Sequence, residues 1–307
     1  MGASWPIPQP ALPARRSCRA GQGEIGVQCF LTAAAFLETD SSQSWPRRLS
    51  KGLGDIRAGL AKRELWSFLG WREVRKQYQR SVLGPFWLTL NMGILVGALG
   101  FFYSQIFQQD ITTFLPYLAV GFIVWGLLSG LIVEACTIYT SAAASVRQSR
   151  LPLSVYAYQL LWRQFVIFLH NFVIYVIVAL VFGIWPGVTG LLVIPAAALT
   201  LISGFFLALI LGPLSARFRD VPPIMTSIMQ IFFFLTPIFW TPENLPERAL
   251  FLLLNPFYHF VEIMREPLFG RTPELGHWLG CIGITAALAV LGTLFFSRVR
   301  ARIPYWA

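Results

Sequence analysis

The chain has 307 residues, of which 56% are hydrophobic and 12% are charged. Because a soluble domain carries about 25% charged residues, this composition excludes an ordinary soluble protein and predicts an integral membrane protein. The formal net charge of +10 is compatible with a nucleic-acid partner. Nearly all basic residues adjoin apolar runs, however, so membrane topology explains the charge and no nucleic acid is expected.

Residues 1–50 are rich in proline, serine and glutamine, and they are predicted to be a disordered tail or an over-long start. The stretch "GQGEIG" (21–26) fits the dinucleotide pattern G-x-G-x-x-G, but no strand precedes it and no helix follows it. "GDIRAGLA" (54–61) lacks the Lys-Ser/Thr pair of a phosphate loop. The four cysteines are scattered and form no C-x-x-C motif. The sequence therefore predicts no cofactor, metal or catalytic site in this chain.

A basic amphipathic helix is predicted over residues 55–80, with a bend at Gly70. Its apolar residues recur at helical spacing and its basic residues lie between them. The apolar positions are Leu65, Phe68, Trp71, Val74 and Tyr78, and the basic positions are Lys62, Arg63, Arg72, Arg75, Lys76 and Arg80. Such a helix lies on a membrane surface, where Trp66 and Trp71 would sit at headgroup depth. A soluble helix face is the alternative.

Six membrane-spanning helices are predicted within an all-α domain over residues 84–300, because a bilayer core requires about 20 apolar residues in helical form. Uncharged runs of this length cover about 86–107, 114–133, 164–182, 190–214, 222–240 and 277–296. The third and fourth runs are separated only by "GIWPGVTG" (183–190), so they are predicted to form a tight helical hairpin.

The basic residues are divided unevenly between the two sides of these spans. Three of the 24 Lys and Arg residues, Arg248, Arg265 and Arg271, lie on one side, and the other 21 lie on the side of both termini. The positive-inside rule therefore predicts a multi-pass protein of the cytoplasmic (inner) membrane with both termini in the cytoplasm. The same basic residues are expected to contact anionic membrane lipids.

The stretch between the fifth and sixth spans, residues 240–276, is apolar but carries five acids and three arginines. Pro246, Pro256 and Pro267 divide it into pieces of about ten residues, which are too short to cross a bilayer. The pieces 246–254 and 257–266 are predicted to form an exoplasmic re-entrant hairpin within 243–270 that lines a pathway or covers it. Pro237, near the outer end of span five, is predicted to be a kink.

Two ionisable groups lie inside predicted spans. Glu134 is expected to reach water or Arg147, and His170 is expected to form an interhelical hydrogen bond. The scarcity of such groups argues against a proton-coupled carrier, and the lack of a polar stripe argues against a channel. An integral-membrane transferase acting on lipid-linked sugars is the alternative, with Glu262 and Glu266 as a carboxylate pair on one helix face.

Five stretches resemble, in order, the membrane subunits of type-2 ABC exporters, specifically those that export lipid-linked O-antigen, capsular or related cell-surface polysaccharides. They are "WREVRKQYQRSVLGPFWLTLNMG" (71–93), "SRLPLSVYAYQLLWRQ" (149–164), "ARFRDVPPIMTSIMQIFFFLTPIFW" (216–240), "NPFYHFVEIMREPLFG" (255–270) and "RARIPYWA" (300–307). The resemblance covers about residues 57–307. It implies a non-enzymatic six-span subunit that forms a homodimer with two separate ATPase subunits, which hold the ATP and magnesium.

The resemblance also implies roles for particular residues. The amphipathic helix is similar to the family's interface helix, and the loop at 139–157 is similar to its coupling helix, which docks into the ATPase. The expected ATPase contacts are Arg147, Arg150, Leu151, Pro152, Arg72 and Arg75. Aromatic candidates for a glycan path between two protomers are Trp87, Phe101, Tyr103, Phe232, Phe239 and Trp240. The hairpin residues singled out are Pro246, Pro256, Glu262 and Glu266. Topology alone also explains each arginine, and helix packing also explains each ring.

Overall fold

The computed structural model describes residues 44–77, 84, 86–148, 151–241 and 250–307. Its elements are α1 (Trp45–Ala61), α2 (Arg63–Gln77), α3 (Phe86–Phe107), α4 (Ile111–Ala135), α5 (Ala143–Gln148), α6 (Ser154–Phe182), a 3-10 turn (Gly187–Leu192), α7 (Val193–Arg217), α8 (Val221–Leu235), α9 (Leu250–Leu254), α10 (Pro256–Leu268), α11 (Leu275–Val299), a second 3-10 turn (Arg300–Arg302) and α12 (Ile303–Trp306). These ranges contain helices and no strand, as the sequence predicts.

Among the described residues, five helical segments are long and apolar enough to cross a membrane. They are Phe86–Ile106, Ile111–Ala135, Ser154–Phe182, Gly187–Arg217 and Leu275–Trp306. These segments correspond to predicted spans one to four and six, and they agree with a multi-pass membrane protein. The predicted turn between the third and fourth begins at Gly183, whose φ of 68° ends α6 in the left-handed conformation that glycine tolerates best.

The predicted fifth span over 222–240 is wrong in its last part. α8 ends at Leu235, and Thr236 is extended, with φ −93° and ψ 133°. The cause is Pro237, because proline disfavours helical backbone at the residue before it. The expected kink at Pro237 is therefore a helix end. At 1.5 Å per residue, α8 is about 22 Å long, which is shorter than the hydrocarbon core of a bilayer.

The predicted interface helix consists of two helices. α1 begins at Trp45, so the predicted boundary at residue 50 falls inside a helix, and the break comes at Lys62. Gly70 is not a bend, because it lies inside α2 and is buried against α6. A Cβ at Gly70 would lie 3.0 Å from the carbonyl oxygen of Gln159, so glycine permits close helix packing there.

The face of α2 that packs differs from the predicted apolar face. Trp66 stacks on Tyr158 of α6 at 6.0 Å between ring centroids, and Val74 is fully buried. Phe68 and Trp71 are instead 63% and 41% exposed. Trp66, expected at headgroup depth, therefore contributes to helix packing, and of the predicted tryptophan pair only Trp71 keeps a large exposed surface.

Two short helices meet at the predicted junction between Asn255 and Pro256. The Asn255 side chain accepts a hydrogen bond from the backbone N–H of Phe257 at 3.0 Å and caps α10. Pro256 occupies the first turn of α10, where its missing N–H leaves no bond unmade. Pro246 lies outside the described residues, and the insertion of this pair into a membrane stays a prediction.

Side-chain contacts gather the connecting segments at two ends of the helical unit. Asp55, Leu153 and Arg300 meet at one end, which we term the Asp55 end. Tyr117, Pro237 and Arg265 meet at the other, which we term the Arg265 end. α4 connects the two ends, and its length from Tyr117 to Glu134 is about 26 Å at 1.5 Å per residue.

Close packing of α7 against α11 depends on one glycine. A Cβ at Gly292 would lie 2.6 Å from the backbone oxygen of Phe206, a separation that real Cβ atoms do not adopt. Further along the same pair of helices, the hydroxyls of Ser203 and Thr285 form a buried hydrogen bond of 2.7 Å. A Cβ at Gly283 of α11 would meet no described atom within 4 Å, so the two glycines form a matched pair for substitution.

We predict that Gly292→Ala lowers the free energy of unfolding by about 1–3 kcal/mol, because the added methyl group overpacks a backbone contact. Gly283→Ala makes the same chemical change in open space, and it should be neutral or stabilise by up to about 1 kcal/mol through helix propensity. Thermal unfolding in detergent, followed by tryptophan fluorescence, measures both. Equal midpoints for the two variants would contradict the packing assigned to Gly292.

Candidate functional site

A buried carboxylate organises the Asp55 end. Asp55 is 6% exposed, and its two oxygens accept hydrogen bonds from the backbone N–H groups of Leu153 at 3.3 Å and Ser154 at 3.0 Å. These N–H groups begin α6, where a helix leaves its first donors unpaired and carries partial positive charge. Arg300 donates its Nε–H to the same carboxylate at 2.7 Å. Asp55 thus caps α6 from a distant helix and joins it to the C-terminal end of α11.

The glycines around Asp55 bring α1 close enough for this cap. A Cβ at Gly59 would lie 2.2 Å from the hydroxyl of Ser154, and one at Gly52 would lie 2.0 Å from the hydroxyl of Ser297. The Ser154 hydroxyl in turn donates to the backbone oxygen of Asp55 at 2.8 Å. The glycine-rich stretch at 54–61, which lacks the residues of a phosphate loop, therefore functions in helix packing.

A second charged network ties α2 to the spans. Arg163 of α6 pairs with Glu73 of α2 at 3.1 Å and also with Glu134 at the end of α4. Gln164 donates a further hydrogen bond to Glu134. Of the two expectations for Glu134, contact with water agrees with its 34% exposed side chain, whereas Arg147 is wrong as the ionic partner, which is Arg163. The network connects the interface region to two spans through one guanidinium group.

The described residues among the expected ATPase contacts lie near the Asp55 end of the helical unit. Arg72 and Arg75 are exposed on α2, and Leu151 and Pro152 are half-buried just before α6. Arg147 lies in the short helix α5 and donates to the backbone oxygen of Ala307. Arg150 lies outside the described residues. The structure therefore leaves Arg72, Arg75 and Arg147 exposed, and Arg147 also holds Ala307.

At the Arg265 end, the side chain of Arg265 donates a hydrogen bond to the backbone carbonyl of Pro237, which lies beyond the end of α8. Arg265 is 1% exposed and donates to the Pro237 carbonyl at 2.7 Å, the Glu262 carboxylate at 3.0 Å and the Tyr117 hydroxyl at 2.7 Å. The guanidinium also lies over the Tyr117 ring, at 3.9 Å from its centroid. A Cβ at Gly121 would lie 2.8 Å from this guanidinium, so glycine makes the room. We term these contacts the Arg265 cluster.

Two further contacts fix the extended segment 236–240. The Tyr117 hydroxyl donates to the carbonyls of Pro237 at 3.0 Å and of Trp240 at 3.2 Å. The Asn255 amide donates to the hydroxyl of buried Thr236 at 2.9 Å. The segment that follows α8 is consequently held by α4, by α10 and by the cap residue between α9 and α10.

A polar cavity of about 620 Å³ adjoins the Arg265 cluster and is lined by residues that include Asp110, Glu262, Glu266 and Arg271. Burial raises the pKa of Glu262 even though Arg265 is its neighbour. Burial also raises the pKa of Glu266, and the nearby Glu262 carboxylate adds to that effect. The hydrogen bond from the Thr112 backbone lowers the pKa of Asp110. Glu262 and Glu266, the expected carboxylate pair, line this cavity together, and Glu262 also forms an ion pair with Arg265.

Three of the six aromatic candidates belong to one connected set of rings. Tyr103 stacks on Phe239 at 5.9 Å, and Phe232 contacts Phe257 at 4.9 Å. Rings that the sequence reasoning missed complete the set, with contacts from Phe233 to Phe239 at 5.6 Å, from Trp125 to Phe233 at 5.7 Å and from Trp125 to Phe257 at 5.6 Å. We term Tyr103, Phe239, Phe233, Trp125, Phe257 and Phe232 the aromatic band.

The other three candidates differ from these. The indole of Trp240 donates to the carbonyl of Phe234 at 3.2 Å, so it caps the end of α8. Trp87 and Phe101 are 45% and 62% exposed on α3, and no ring contact among the described residues joins them to the aromatic band. Nδ1 of His170 lies 2.8 Å from the carbonyl oxygen of Val166 within α6, and the backbone oxygen of His170 accepts an interhelical hydrogen bond from the Thr89 hydroxyl at 2.9 Å. An interhelical bond of the His170 ring stays a prediction.

Sequence reasoning missed Asp55, Tyr117, Arg163 and Arg265 as organising residues. Two of them had a signal in the sequence. Asp55 is the only acid between Trp45 and Arg63, and Arg265 is the only Lys or Arg of the apolar segment 250–268. A charge that is isolated in such surroundings indicates a buried partner, because an unpaired buried charge is costly.

Residues 64–269 match the family model of ABC-2 type transporters. The chain belongs to this family of membrane transport proteins. Its curated relatives include the O-antigen export system permease protein RfbA of Myxococcus xanthus, which is 24% identical over 247 residues that cover 77% of this chain and 95% of that protein. A protein of the same name from Klebsiella pneumoniae is 20% identical over 234 residues, which cover 75% of this chain and 90% of that protein.

We predict that Arg265→Met lowers the free energy of unfolding by about 3–5 kcal/mol, because it leaves the buried Glu262 carboxylate unpaired. Arg265→Met with Glu262→Gln should recover part of this loss, since the unpaired charge is then removed. Unfolding is followed by the labelling of Cys136 and Cys281, which are both buried. Cys18 and Cys29 are replaced by serine so that only the buried thiols are labelled.

Arg271→Met is the matched control for this prediction. Arg271 lines the same cavity but is exposed, and it makes no ion pair within the described residues. Its replacement should change stability by less than about 0.5 kcal/mol. An Arg265 variant as stable as the Arg271 variant, or a double variant less stable than Arg265→Met alone, contradicts the assigned role of the ion pair.

Proposed function

We propose that this chain is the permease subunit of an ATP-driven exporter, which moves a lipid-linked polysaccharide such as O-antigen or capsule across the cytoplasmic membrane. It acts as a homodimer with two separate ATPase subunits that supply ATP and magnesium. The observation that carries the proposal is the alignment with the RfbA permease of M. xanthus over 95% of that protein's length. The chain itself contributes transport and no enzymatic step.

The contacts at the two ends favour six membrane crossings. α8 follows Arg217, which lies 5.1 Å from the ring of Trp306 at the Asp55 end. The residues after α8 reach Arg265 at the other end. α8 and the extended segment 236–240 therefore run from one end to the other, although α8 alone is short. Together with the five long segments, this supports the proposal of six crossings, with α1 and α12 on the same side of the membrane.

The distribution of charge favours the cytoplasm for the Asp55 end. Arg147, Arg217 and Arg300 lie there, together with the basic helices α1 and α2. Cytoplasmic loops carry the excess of Lys and Arg in membrane proteins. The Arg265 end is then exoplasmic, and the polar cavity and the pair α9 and α10 face the outside, where the predicted re-entrant hairpin would form an exit lid.

The networks at the Asp55 end suit a coupling role. In this proposal the ATPase contacts α2 and the segment around Leu151, and ATP-driven closure of the ATPase pair displaces them. The Glu73, Arg163 and Glu134 network passes that displacement from α2 to α4 and α6. The protomers then separate along α3 and α8, and the half-buried rings of the aromatic band, which exclude the buried Trp125, would offer surfaces on which sugar faces can stack.

We predict that deletion of the gene in its native host removes the polysaccharide from the cell surface and causes the complete lipid-linked glycan to accumulate inside. Wild-type complementation should restore the surface glycan. An exporter acts after synthesis, whereas a transferase acts during it. Loss of the lipid-linked glycan, or its presence in truncated form, therefore contradicts export and favours a transferase. An unchanged cell surface contradicts both functions.

We predict that Leu151→Asp weakens the complex with the partner ATPase about tenfold or more, since a carboxylate buried without a partner costs several kcal/mol and 1.4 kcal/mol corresponds to a factor of ten. Val188→Asp is the matched control, because Val188 is an apolar residue that is 82% exposed in the 3-10 turn Gly187–Leu192 at the opposite end. Copurification and stimulated ATP hydrolysis in vesicles measure the effect. Equal behaviour of the two variants contradicts the docking site.

A further inference from the structure

Two of the three histidines of the chain are in direct contact at the Arg265 end. His259 lies in the first turn of α10, and His277 lies in the first turn of α11. Their Nδ1 atoms are 2.8 Å apart, and the rings are tilted by 54° with centroids 5.1 Å apart. Nε2 of His259 lies 2.9 Å from the backbone oxygen of Leu253 in α9. The pair thus joins three successive elements, α9, α10 and α11.

These distances determine where the protons lie. A carbonyl oxygen only accepts, so Nε2 of His259 carries a proton, and Nδ1 of neutral His259 is therefore an acceptor. The bond of 2.8 Å between the two Nδ1 atoms then requires that His277 carries its proton on Nδ1. The neutral pair has one arrangement of protons that satisfies both hydrogen bonds. In this arrangement, His277 donates to His259, and His259 donates to the carbonyl of Leu253.

The pair accepts one added proton without losing this arrangement. That proton binds Nε2 of His277, which the chain of hydrogen bonds does not use, and the Nδ1–H of His277 still donates to His259. A second proton has only Nδ1 of His259 to bind. Two N–H groups would then face each other at hydrogen-bond distance between two cationic rings, so the contact must break.

We propose that His259 and His277 form a shared proton site that holds α10 to α11 when it carries at most one added proton and releases them when it carries two. Histidine is the side chain whose charge changes in the physiological pH range. Both rings are partly exposed, so protons from the solution can reach them. Under the proposed function this end is exoplasmic, and the site then responds to the pH outside the cell.

The surroundings of the pair contain few other charges. Within the described residues, the carboxylates of Glu274, which immediately precedes α11, and of Glu266 on α10 act electrostatically on His277. The ring of Tyr258 packs edge to face on His277 at 5.2 Å. α9 and the 3-10 turn Gly187–Leu192 carry no ionisable side chain. A Cβ at Gly280 would lie 3.4 Å from the His259 ring, so α11 accommodates that ring closely.

Histidine tautomers provide the direct test. Solid-state NMR of the protein with labelled histidine in lipid bilayers, at about pH 8 where histidine is neutral, should give three ring systems. We expect Nε2–H for His259, Nδ1–H for His277 and a dipolar contact between their Nδ1 atoms. His170 should be Nδ1–H, because it bonds the carbonyl of Val166, and His170→Asn identifies its signals by removing them. An Nδ1–H tautomer at His259, or no contact between the Nδ1 atoms, overturns the proposal.

Acid stability provides the second test. We expect the unfolding midpoint of the wild type to fall by several degrees between about pH 7.5 and about pH 5, where histidine gains its proton. The variant His259→Asn with His277→Asn places a non-titrating amide where each Nδ1 lay, and it should lose most of this fall. His170→Asn should retain all of it. A double variant with the acid response of the wild type overturns the proposal. All samples contain EDTA, because imidazole also binds metals.

Both tests use the purified chain and need neither ATP nor glycan. Their failure would remove the proton site and leave the exporter proposal intact. If the exporter proposal failed, the proton site would remain, and only the side of the membrane from which its protons come would be undetermined. Export from cells at two external pH values, compared between the wild type and the double variant, then tests that sidedness separately.

Discussion

Backbone groups left unpaired at helix ends are the constraint on which the rest of this structure depends. In apolar surroundings each such group costs several kcal/mol unless another group satisfies it. Asp55 accepts from the first N–H groups of α6, and Arg265 donates to the carbonyl left outside the helix at Pro237. Ionised side chains suit this task, because a charge-assisted hydrogen bond is about twice as strong as a neutral one.

Asp55 and Arg265 are buried charges, and each therefore determines where a second charged residue must lie. A buried charge requires a counter-charge, and the partners are Arg300 for Asp55 and Glu262 for Arg265. Arg300 lies at the end of α11, so the first pair joins α11 to α1, whereas Glu262 lies one turn before Arg265 on α10 itself. The Asp55–Arg300 pair therefore holds two helices together, whereas at the Arg265 end the guanidinium itself joins α10 to α4 through Tyr117. The hydroxyl of Tyr117 accepts from Arg265 and donates to Pro237.

The sequence predicted local features well and long-range pairings poorly, for a physical reason. Apolar runs and prolines act on nearby backbone, so helix content, the spans now seen as α3, α4, α6, α7 and α11, and the junction at Asn255 were all visible. Asp55 caps Ser154 across 99 positions, and nothing local specifies such a partner. Helical spacing also failed to identify the packed face of α2. Apolar side chains recur at helical spacing whether they are exposed or buried, so the exposed Phe68 and Trp71 gave the same pattern as a buried stripe.

α4 links the two ends more directly than any other helix described here. It is the most buried of the five long segments, and it carries Tyr117 of the Arg265 cluster near its start and Glu134 of the Arg163 network near its end. An α-helix transmits an axial displacement along its length because every turn is hydrogen-bonded to the next. Under the proposed function, a shift of Glu134 caused by Arg163 and α2 would therefore act on Tyr117 as well. Tyr117 holds the segment after α8, so under the proposed function α4 would connect movement at the Asp55 end to opening at the Arg265 end.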